Sequence, residues 1–572
     1  MEPRELFKKI KKEIDVGRMV ENVKTLGQWQ RYTGSEGGEK CVDYLISELK
    51  KVGIPVQIDT YDAFVSIPIK AKLLLDTGEE MKLIADVYSS EADGIFAELV
   101  YDSWSEKKVI SENENRQRFS TFKNKLVLTN ENGGEFAECL YRAGALGMLH
   151  ISRSQGGYIH HSNIGAEWGT PCASRLLQIV SIPSAGISME DGEKLILRLK
   201  NESVSGKLSI CMDTGVRRSR MPYIDIPGKK DSFVMLNGHY DSWYEGITDN
   251  ATSDAILLEL AKAFWAHRME LERGIRIIWW SGHSDARYAG STWFCDRHFR
   301  ELKEKCIANI NIDLAGCKNS EQVRARTTCM EGKTFTSEII ESYTKMKAKP
   351  YIPMIRGADQ SFWGAEIPIH IMLKYEPTDK KRIAPCPSGG PWWHTDQDTI
   401  DKMDREILYR DALMNGEITC NIVNSRILPV NMSGYIDIME SYLKKIDAGL
   451  SEDFQLDGVF EIMEELRVWI LRLEEKLFMS GAVSDDKIIK CTAGEMVRLV
   501  YTYGSPYGQD RATPYSPFGI LENAVSIKRN NTSSMVYLFM MTEFTRACNR
   551  IIGQIERIIS DIVVYIQNKD GR

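Results

Sequence analysis

The sequence predicts an α/β protein with a mixed, mainly parallel sheet, helices on both faces of that sheet, a β-rich insert and a C-terminal helical domain. Three observations lead to this prediction. Strand-like apolar runs alternate with helical patterns between residues 232 and 427, which is typical of a sheet covered by helices. Short β-rich runs dominate residues 63–215, and helical apolar periodicity follows residue 432. Because 572 residues exceed a single core, two to four domains are expected, and the patterns divide the chain into residues 1–62, 63–215, 216–430 and 431–572.

The first region is mainly helical. Cys41–Lys51 places apolar residues on one helical face, and Val56–Thr60 predicts a strand after it. In the insert we predict, in chain order, strands Lys70–Leu75, Lys82–Asp86, Ala97–Tyr101 and Lys125–Thr129, a helix near Glu135–Ala143, strands Gly147–Ile151 and Ile182–Ile187, and a helix from Glu190. Pro222–Lys230 is predicted to be a turn-rich connection.

In the main domain we predict strand Phe233–Asn237, helix Ser253–Ala266, and strands Ile275–Trp280, Ala308–Asp313 and Ile367–Met372. The C-terminal helices are predicted at Glu440–Ala448, Val459–Phe478, Ala493–Tyr503 and Met535–Ile566. Val459–Phe478 is long enough to present an apolar face beyond its own core. We therefore expect a two-fold homodimer through the C-terminal domain, with a helical cap on a monomer as the alternative.

Composition narrows the possible partners and the compartment. The hydrophobic fraction of 43% and the charged fraction of 27% are ordinary for a globular protein. A net charge of −7 offers no basic excess for nucleic acid, and no apolar run approaches the length of a membrane span. The first residues, Met1–Glu5, are charged and unlike a signal peptide, and the twelve cysteines contain no CxxC pair. We therefore expect a cytoplasmic protein without nucleic-acid or membrane partners.

Four short strings carry the chemistry of the chain. They are Gly238-His239-Tyr240-Asp241, Thr248-Asp249-Asn250-Ala251, Asn311-Ile312-Asp313 and Trp393-His394-Thr395-Asp396. Two of them follow predicted strands, and active groups of open α/β sheets sit at the carboxyl ends of strands. The chain has only nine histidines, so two in such contexts are notable.

These residue types suit a two-zinc hydrolase centre. Zinc accepts imidazole nitrogen and carboxylate oxygen, and a catalytic zinc site keeps one position open for water. Asp249 comes in a turn directly before a helix, where a carboxylate can bridge two cations or simply cap the helix. Asp241 can hold the tautomer of His239. Each string alone is weak evidence, but their combination predicts a metal site.

The chain resembles metallopeptidase family 28, which includes zinc aminopeptidases, glutamate carboxypeptidases and the transferrin receptor. Besides the four strings, Gly34-Ser35-Glu36-Gly37-Gly38 looks like the family's N-terminal segment. Residues 96–200 are similar to a protease-associated domain, whose usual marks are Lys125–Leu128, Ala143–Gly147 and Ile182–Ile187. A helical C-terminal domain makes the dimer in glutamate carboxypeptidase and the transferrin receptor.

The resemblance implies a ligand set for two divalent ions, which the family leads us to expect to be Zn²⁺: His239 and Asp313 on one ion, Asp249 as the bridge, and His394 with Asp285 on the other. Gly290-Ser291 aligns the family's Glu-Glu pair with Ser284-Asp285. The family also has a cis peptide after its bridging Asp, so we expect one at Asp249–Asn250.

The catalytic position departs from the family, because Ser284 has no useful basicity near neutral pH. His283 is the obvious substitute as a general base, since its ordinary pKa is about 6.5. His283 could instead bind metal, or have a purely structural role. The residues with catalytic roles are therefore expected to be His283, Ser284 and Asp241.

Substrate contacts are expected from Arg287 and Tyr288, which follow the metal loop, and from Arg356, Asp359 and Gln360 in a loop that lines the pocket in the family. Arginine presents a planar fork suited to a carboxylate. The tryptophans Trp279, Trp280, Trp392 and Trp393 are expected either to form an aromatic pocket or to lie in the core.

The sequence thus predicts a dizinc aminopeptidase-like hydrolase that cleaves a peptide or small amide with metal assistance. The alternative is a non-catalytic binding or scaffold protein of the transferrin receptor type that retains the fold. All five expected ligand positions hold a plausible donor, which favours the enzyme.

Overall fold

A computed structural model describes residues 1–106, 112–179, 181–344, 352–377, 387–480, 486–512, 516–525, 527–530 and 532–570. Helices in the first half are α1 Pro3–Glu13, α2 Val16–Leu26, α3 Glu36–Lys51, α4 Glu112–Ser120, α5 Gly134–Ala143, α6 Met189–Leu199 and α7 Thr252–Ala266. Those in the second half are α8 Ala289–Arg297, α9 Phe299–Lys305, α10 Phe335–Thr344, α11 Arg405–Val423, α12 Met432–Asp447, α13 Asp457–Ser480, α14 Asp486–Tyr501, α15 Gly519–Glu522 and α16 Ser534–Asp570. Several begin at a side chain that caps free N–H groups, namely Asp15, Ser35, Ser188, Asp404 and Asn431.

The described strands form one continuous sheet. They are β1 Gln57–Leu75, β2 Glu80–Ala85, β3 Ala92–Tyr101, β4 Leu126–Thr129, β5 Gly147–Ile151, β6 Ser184–Ile187, β7 Ser205–Ile226, β8 Lys230–His239, β9 Arg273–Trp280, β10 Cys306–Asn311, β11 Gln322–Thr327, β12 Ile352–Pro353 and β13 Ile369–Glu376. Their order is β1-β2-β6-β5-β4-β3-β7-β9-β8-β10-β13-β11-β12, and β1 also pairs with β7. The insert strands therefore close on themselves, while β9, β8, β10 and β13 are parallel neighbours.

The central strand β8 is buried on both faces. Val234 and Leu236 lie in a core with α7 and α11, whereas Phe233 and Met235 lie in a second core with α8 and α9. Side chains of a strand alternate between faces, so this pattern requires helices on both sides. The predicted mixed, mainly parallel α/β sheet is confirmed, and its apolar strands leave the strand ends as the place for polar groups.

Two long strands connect the insert to the main domain. The sequence predicts separate strands at Val56–Thr60 and Lys70–Leu75, but both belong to β1, which pairs with β7 from Gln57↔Tyr223 to Leu75↔Gly206. Pro68, which lacks an N–H donor, is accommodated where the register shifts between Pro68 and Lys70. The predicted turn at Pro222–Lys230 is wrong for Pro222–Ile226, because these residues pair with β1 and β9. The expected boundaries 62/63 and 215/216 fall inside these two strands.

The remaining predicted elements are present with shifted ends. The apolar run Ile182–Ile187 forms a strand only from Ser184, and Ile367–Met372 corresponds to β13 at Ile369–Glu376. The predicted C-terminal helices correspond to α12, α13, α14 and α16, and α13 packs against α16. Among the described residues, no helix combines the length and the apolar character needed to cross a bilayer.

Candidate metal centre

The strand β8 ends at His239, whose side chain is completely buried. Its Nδ1 lies 2.9 Å from the carbonyl oxygen of Asp241, and a carbonyl can only accept, so Nδ1 carries the proton of the neutral ring. The sequence predicts that Asp241 holds the tautomer of His239; in the structure the backbone carbonyl of Asp241 makes this contact, and its carboxylate lies 3.9 Å from Nδ1. The Asp241 carboxylate instead accepts the N–H groups of His283 at 3.2 Å and Ser284 at 2.8 Å. His239 Nε2 is left facing the other donors.

The Asp249 carboxylate lies between two imidazoles. Its Oδ1 is 3.1 Å from His239 Nε2, and its Oδ2 is 3.1 Å from His394 Nε2. Asp398 holds the turn from the other side, because its carboxylate accepts the N–H groups of Thr248 and Asp249 and the Thr248 hydroxyl. The Asp249–Asn250 peptide bond is cis, as expected.

Asp313 follows β10 and completes the group predicted from the four strings. Its Oδ1 lies 3.7 Å from His239 Nε2. The Asn250 side chain joins this turn to the Asp249 turn, since its Nδ2 donates to the Ile312 carbonyl and its Oδ1 accepts the N–H of Leu314, both at 3.2 Å. The structure therefore brings His239, Asp249, Asp313 and His394 together.

This donor set fits a divalent cation. His239 Nε2 and Asp313 Oδ1 are buried, and within the described residues neither makes a well-directed hydrogen bond, although Asp249 Oδ1 lies 3.1 Å from His239 Nε2. Unsatisfied buried polar atoms are costly, so their proximity calls for a missing positive partner. Donor atoms of His239, His283 and Asp313 all lie within 4.8 Å of one another. Imidazole and carboxylate are ligands that zinc accepts.

The electrostatics also favour a cation here. Burial lowers the pKa of His239, but the carboxylates of Asp249 and Asp313 outweigh it and raise that pKa well above the ordinary value. Burial acts to raise the pKa of Asp249, but His239 and His394 hold it well below its usual range. Further out, burial raises the pKa of Asp254 to about 8 and that of Asp398 to about 7. Asp249 therefore remains charged, whereas Asp254 mostly keeps its proton at pH 7.

Asp285, expected as a metal ligand, is not brought to this group. Its carboxylate accepts the N–H of Thr33 at 2.9 Å and the Thr33 hydroxyl at 2.5 Å, and the side chain is fully buried. Neighbouring side chains of the turn after β9 point to opposite sides, so Ser284 lines the cleft while Asp285 faces the N-terminal segment. Burial beside Asp241 raises the pKa of Asp285 to about 7. Asp285 therefore links the turn after β9 to Thr33 in the N-terminal segment.

His283, in contrast, lies beside the donor residues His239 and Asp313. Its ring stacks on that of His239, with centroids 3.7 Å apart and planes 11° apart. Its Nδ1 lies 2.9 Å from Oδ2 of the buried Asp359. A carboxylate on one ring nitrogen orients the ring and leaves the other nitrogen for a proton or a metal ion. Asp359, which the sequence predicts to contact substrate, therefore orients the ring of His283.

The other expected substrate residues divide into two groups. Arg287 and Tyr288 line the cleft. Arg287 donates to the Ala512 carbonyl at 2.9 Å, and Tyr288 stacks on Trp168. Arg356 instead donates to Gln509 at 2.7 Å, and Gln360 Oε1 lies 3.2 Å from His370 Nδ1 beneath the cleft, so neither is among the cleft-lining residues.

The tryptophans are mainly core residues. Trp279 and Trp280 are fully buried in the two cores on opposite faces of the sheet, and Trp392 is also buried. Trp393 alone of the four lines the cleft, and its ring stacks on His394 with centroids 3.5 Å apart. The aromatic-pocket expectation therefore holds for Trp393 only, within the described residues.

A cleft of about 440 Å³ opens onto the donor group. One wall comes from the main domain, and the other from the insert, which supplies His150, Arg153, His160 and His161. The cleft lies between the two regions, where ligand sites commonly form.

The insert also holds the loop that carries His394. His160 Nδ1 donates to the Trp393 carbonyl at 2.5 Å, the His161 N–H donates to the His394 carbonyl at 3.0 Å, and His394 Nδ1 donates to the His161 carbonyl at 2.9 Å. We call these contacts the insert clasp. Burial lowers the pKa of His160 to about 4, so this ring stays neutral at pH 7. The clasp leaves His394 Nε2 directed at Asp249.

Sequence reasoning missed Thr33, Asp398, His160 and His161. Their partners are distant in sequence, with Thr33 bonded to residue 285 and His160 to residue 393. Of these, only Asp398 had a local signal, since it closely follows His394-Thr395-Asp396.

We expect His160→Ala to lower the affinity for a divalent ion by about 10- to 100-fold, the usual effect of removing a group that orients a metal ligand. The measurement is competition with a chelator of known affinity. His267→Ala, at the far end of α7, is the matched control and should leave affinity unchanged. Equal affinities in both variants would show that His394 is held without the clasp.

Known proteins resemble the part of the chain that forms this site. The profile described as "Peptidase family M28" matches residues 223–415, the part that contains the four donors. Leucine aminopeptidase 2 of Trichophyton equinum is 26% identical over 296 residues, which are 50% of this chain and 55% of that protein. The chain thus spans about half the length of such curated relatives.

Two solved structures share the fold. An aminopeptidase from Aneurinibacillus sp. strain AM-1 has a TM-score of 0.55 and 21% identity, covering 72% of this chain and 95% of its own. A zinc aminopeptidase from Bacillus subtilis has a TM-score of 0.54 and 18% identity, covering 71% and 94%. The part of the chain that holds the four donors, residues 223–415, therefore matches peptidase family M28, and these two structures share its fold.

Proposed function

We propose that the protein is a two-metal hydrolase of amide bonds, an exopeptidase of the aminopeptidase type. The observation that carries this proposal is the Asp249 carboxylate, each of whose oxygens lies 3.1 Å from a different imidazole. Such a carboxylate serves two metal positions at once. When bound, the ions would supply polarisation of the scissile carbonyl and a more acidic water. The similar aminopeptidases support peptides or small amides as substrates.

The proposed site lacks the family's usual glutamate base. Ser284 stands at that position, and its hydroxyl cannot accept a proton usefully near pH 7. His283, the preceding residue, lines the same cleft, and Asp359 orients its ring. Tyr288 packs edge-on against His283, with ring centroids 4.8 Å apart, and restricts its rotation.

The alternative, a binding or scaffold protein that retains the fold, is favoured by the loss of the Glu-Glu pair. The orphaned atoms of His239 and Asp313 argue against it. A site without a metal role would have no reason to keep buried donors unsatisfied. The enzyme therefore accounts for more of the structure.

The charges of the cleft indicate a substrate that carries an anionic group. Arg153, Arg287, Arg326 and Lys374 line it, and the acidic residues of its described lining are the two expected metal ligands, Asp249 and Asp313. Lys374 lies directly opposite Arg324 on β13 and β11, and Arg324 is paired with Glu376, so Glu376 is already engaged by the neighbouring cation. We propose that a substrate carboxylate pairs with Lys374 in the cleft, and that residues 63–215, as a protease-associated type of insert, form the second wall.

Removing metal should abolish hydrolysis of aminoacyl amides and dipeptides, and adding Zn²⁺ back should restore it. Asp249→Asn should lower kcat/KM by more than about 100-fold, beyond the usual effect of a merely orienting residue, because both positions lose a shared ligand. The readout is turnover together with elemental analysis. Full turnover by metal-free protein would refute the hydrolase, and an inactive metal-replete protein would favour the binding role.

Lys374→Met should lower kcat/KM for substrates with a carboxylate side chain by about 10- to 100-fold, the worth of a hydrogen bond to a charged group. Neutral substrates should be unaffected, as should every substrate with Lys40→Met on the exposed face of α3. The comparison uses glutamyl and leucyl substrates with the same leaving group. Equal losses on both would remove the proposed carboxylate contact.

We also propose a two-fold homodimer through the C-terminal helices. Met535, Leu538 and Phe539 form a stripe on α16 and are 57%, 61% and 61% exposed. Large exposed apolar patches mark interaction sites. Sedimentation at micromolar concentration should show a dimer, and Leu538→Asp with Phe539→Asp should dissociate it, whereas Met269→Asp, at another exposed apolar residue, should not. A wild-type monomer at that concentration would contradict the proposal.

A further inference from the structure

We propose that the two metal positions are unequal, because His283 and not Asp285 is a metal ligand and it serves the position of His239 and Asp313. The inference rests on the proposed metal site and specifies its ligands. It makes the first position rich in donors, with His239, His283, Asp313 and the shared Asp249. The second position is left with His394 and Asp249.

The first argument is the location of the His283 ring. One of its ring nitrogens lies within 4.8 Å of a ring nitrogen of His239 and of a carboxylate oxygen of Asp313, and within the described residues His239 Nε2 and Asp313 Oδ1 make no well-directed hydrogen bond. A metal ion with ligands at about 2.0–2.2 Å holds its donor atoms at most roughly twice that distance apart. Only a small movement of the rings would therefore bring the three donors onto one ion.

The second argument is the support behind His283. Asp359 is fully buried, and its Oδ2 lies 2.9 Å from His283 Nδ1. Imidazoles that bind metal usually donate their other N–H to a carboxylate or carbonyl, which fixes the ring and raises its basicity. His239 and His394 have the same arrangement, with carbonyl oxygens of Asp241 and His161 on their Nδ1 atoms. All three imidazoles are thus presented through Nε2.

The third argument concerns what the second position lacks. The Asp285 carboxylate is occupied by the N–H and hydroxyl of Thr33, and Thr33 Oγ1 also accepts the N–H of Gly282. Turning Asp285 to the cleft would break these buried contacts. Within the described part of the chain, no group of three or more His, Cys, Asp or Glu donors includes His394. The second ion would therefore keep more positions for solvent or substrate, and would bind more weakly.

The test is a titration of metal-free, full-length protein with Zn²⁺ at chelator-buffered free concentrations, followed by measurement of bound zinc. Wild type should bind two ions in two resolved steps. His283→Ala should lose the tight step, and His394→Ala only the weak one. Asp285→Asn should keep both, because Asp285 contacts no metal position.

Further variants and outcomes separate ligation from other roles. Asp359→Asn should weaken the tight step without removing it, and it provides a milder variant if His283→Ala fails to fold, which circular dichroism of the metal-free protein would reveal. The proposal is overturned if wild type binds both ions with equal affinity, or if Asp285→Asn loses one. It is also overturned if His283→Ala keeps both steps but turns over slowly, which would make His283 a general base. Absence of any zinc binding by wild type would instead reject the proposed hydrolase itself.

Discussion

The sharing of one carboxylate by two imidazoles is the interaction on which the rest of the centre depends. Asp249 reaches His239 with one oxygen and His394 with the other, both at 3.1 Å. It can do so because Asp398 holds its turn through three hydrogen-bond donors, and because Asn250 joins that turn to the loop of Asp313. Small displacements of this turn would alter the contacts of Asp249 with both imidazoles together, so the surrounding hydrogen bonds act on the two proposed metal positions through Asp249.

Much of the fold and four of the donors could be predicted from local patterns. An apolar run that is followed by His239 or Asp313 predicts a strand, and it also predicts that this side chain lies at the end of the strand. The choice between His283 and Asp285 could not be predicted in this way. It depends on Thr33, which is 252 residues away, and on Asp359, which is 76 residues away. The positions of Arg356 and Gln360 could not be predicted locally either, since they contact Gln509 and His370 and are not among the residues that line the cleft.

Strand length was also beyond local reasoning. The sequence of β1 contains Pro68 and reads as two short strands, yet pairing with β7 makes it one strand of 19 residues. Two neighbouring long strands supply enough backbone hydrogen bonds to override local breaks. These strands join the insert to the main domain. The loop of the insert that contains His160 and His161 lies beside Trp393 and His394.

The insert clasp has a consequence for how the protein responds to its ligands. His394 takes a left-handed backbone conformation, with φ of 57°, and its ring is aimed by the backbone of residue 161 across the cleft. On the proposed two-metal site, binding of an ion at His394 and docking of the insert would be thermodynamically linked, and linkage is reciprocal. Whatever stabilises the docked insert would then tighten an ion at His394, and that ion would stabilise the docked insert by the same free energy. An ion at this position would report the position of the insert as well as the identity of its ligands.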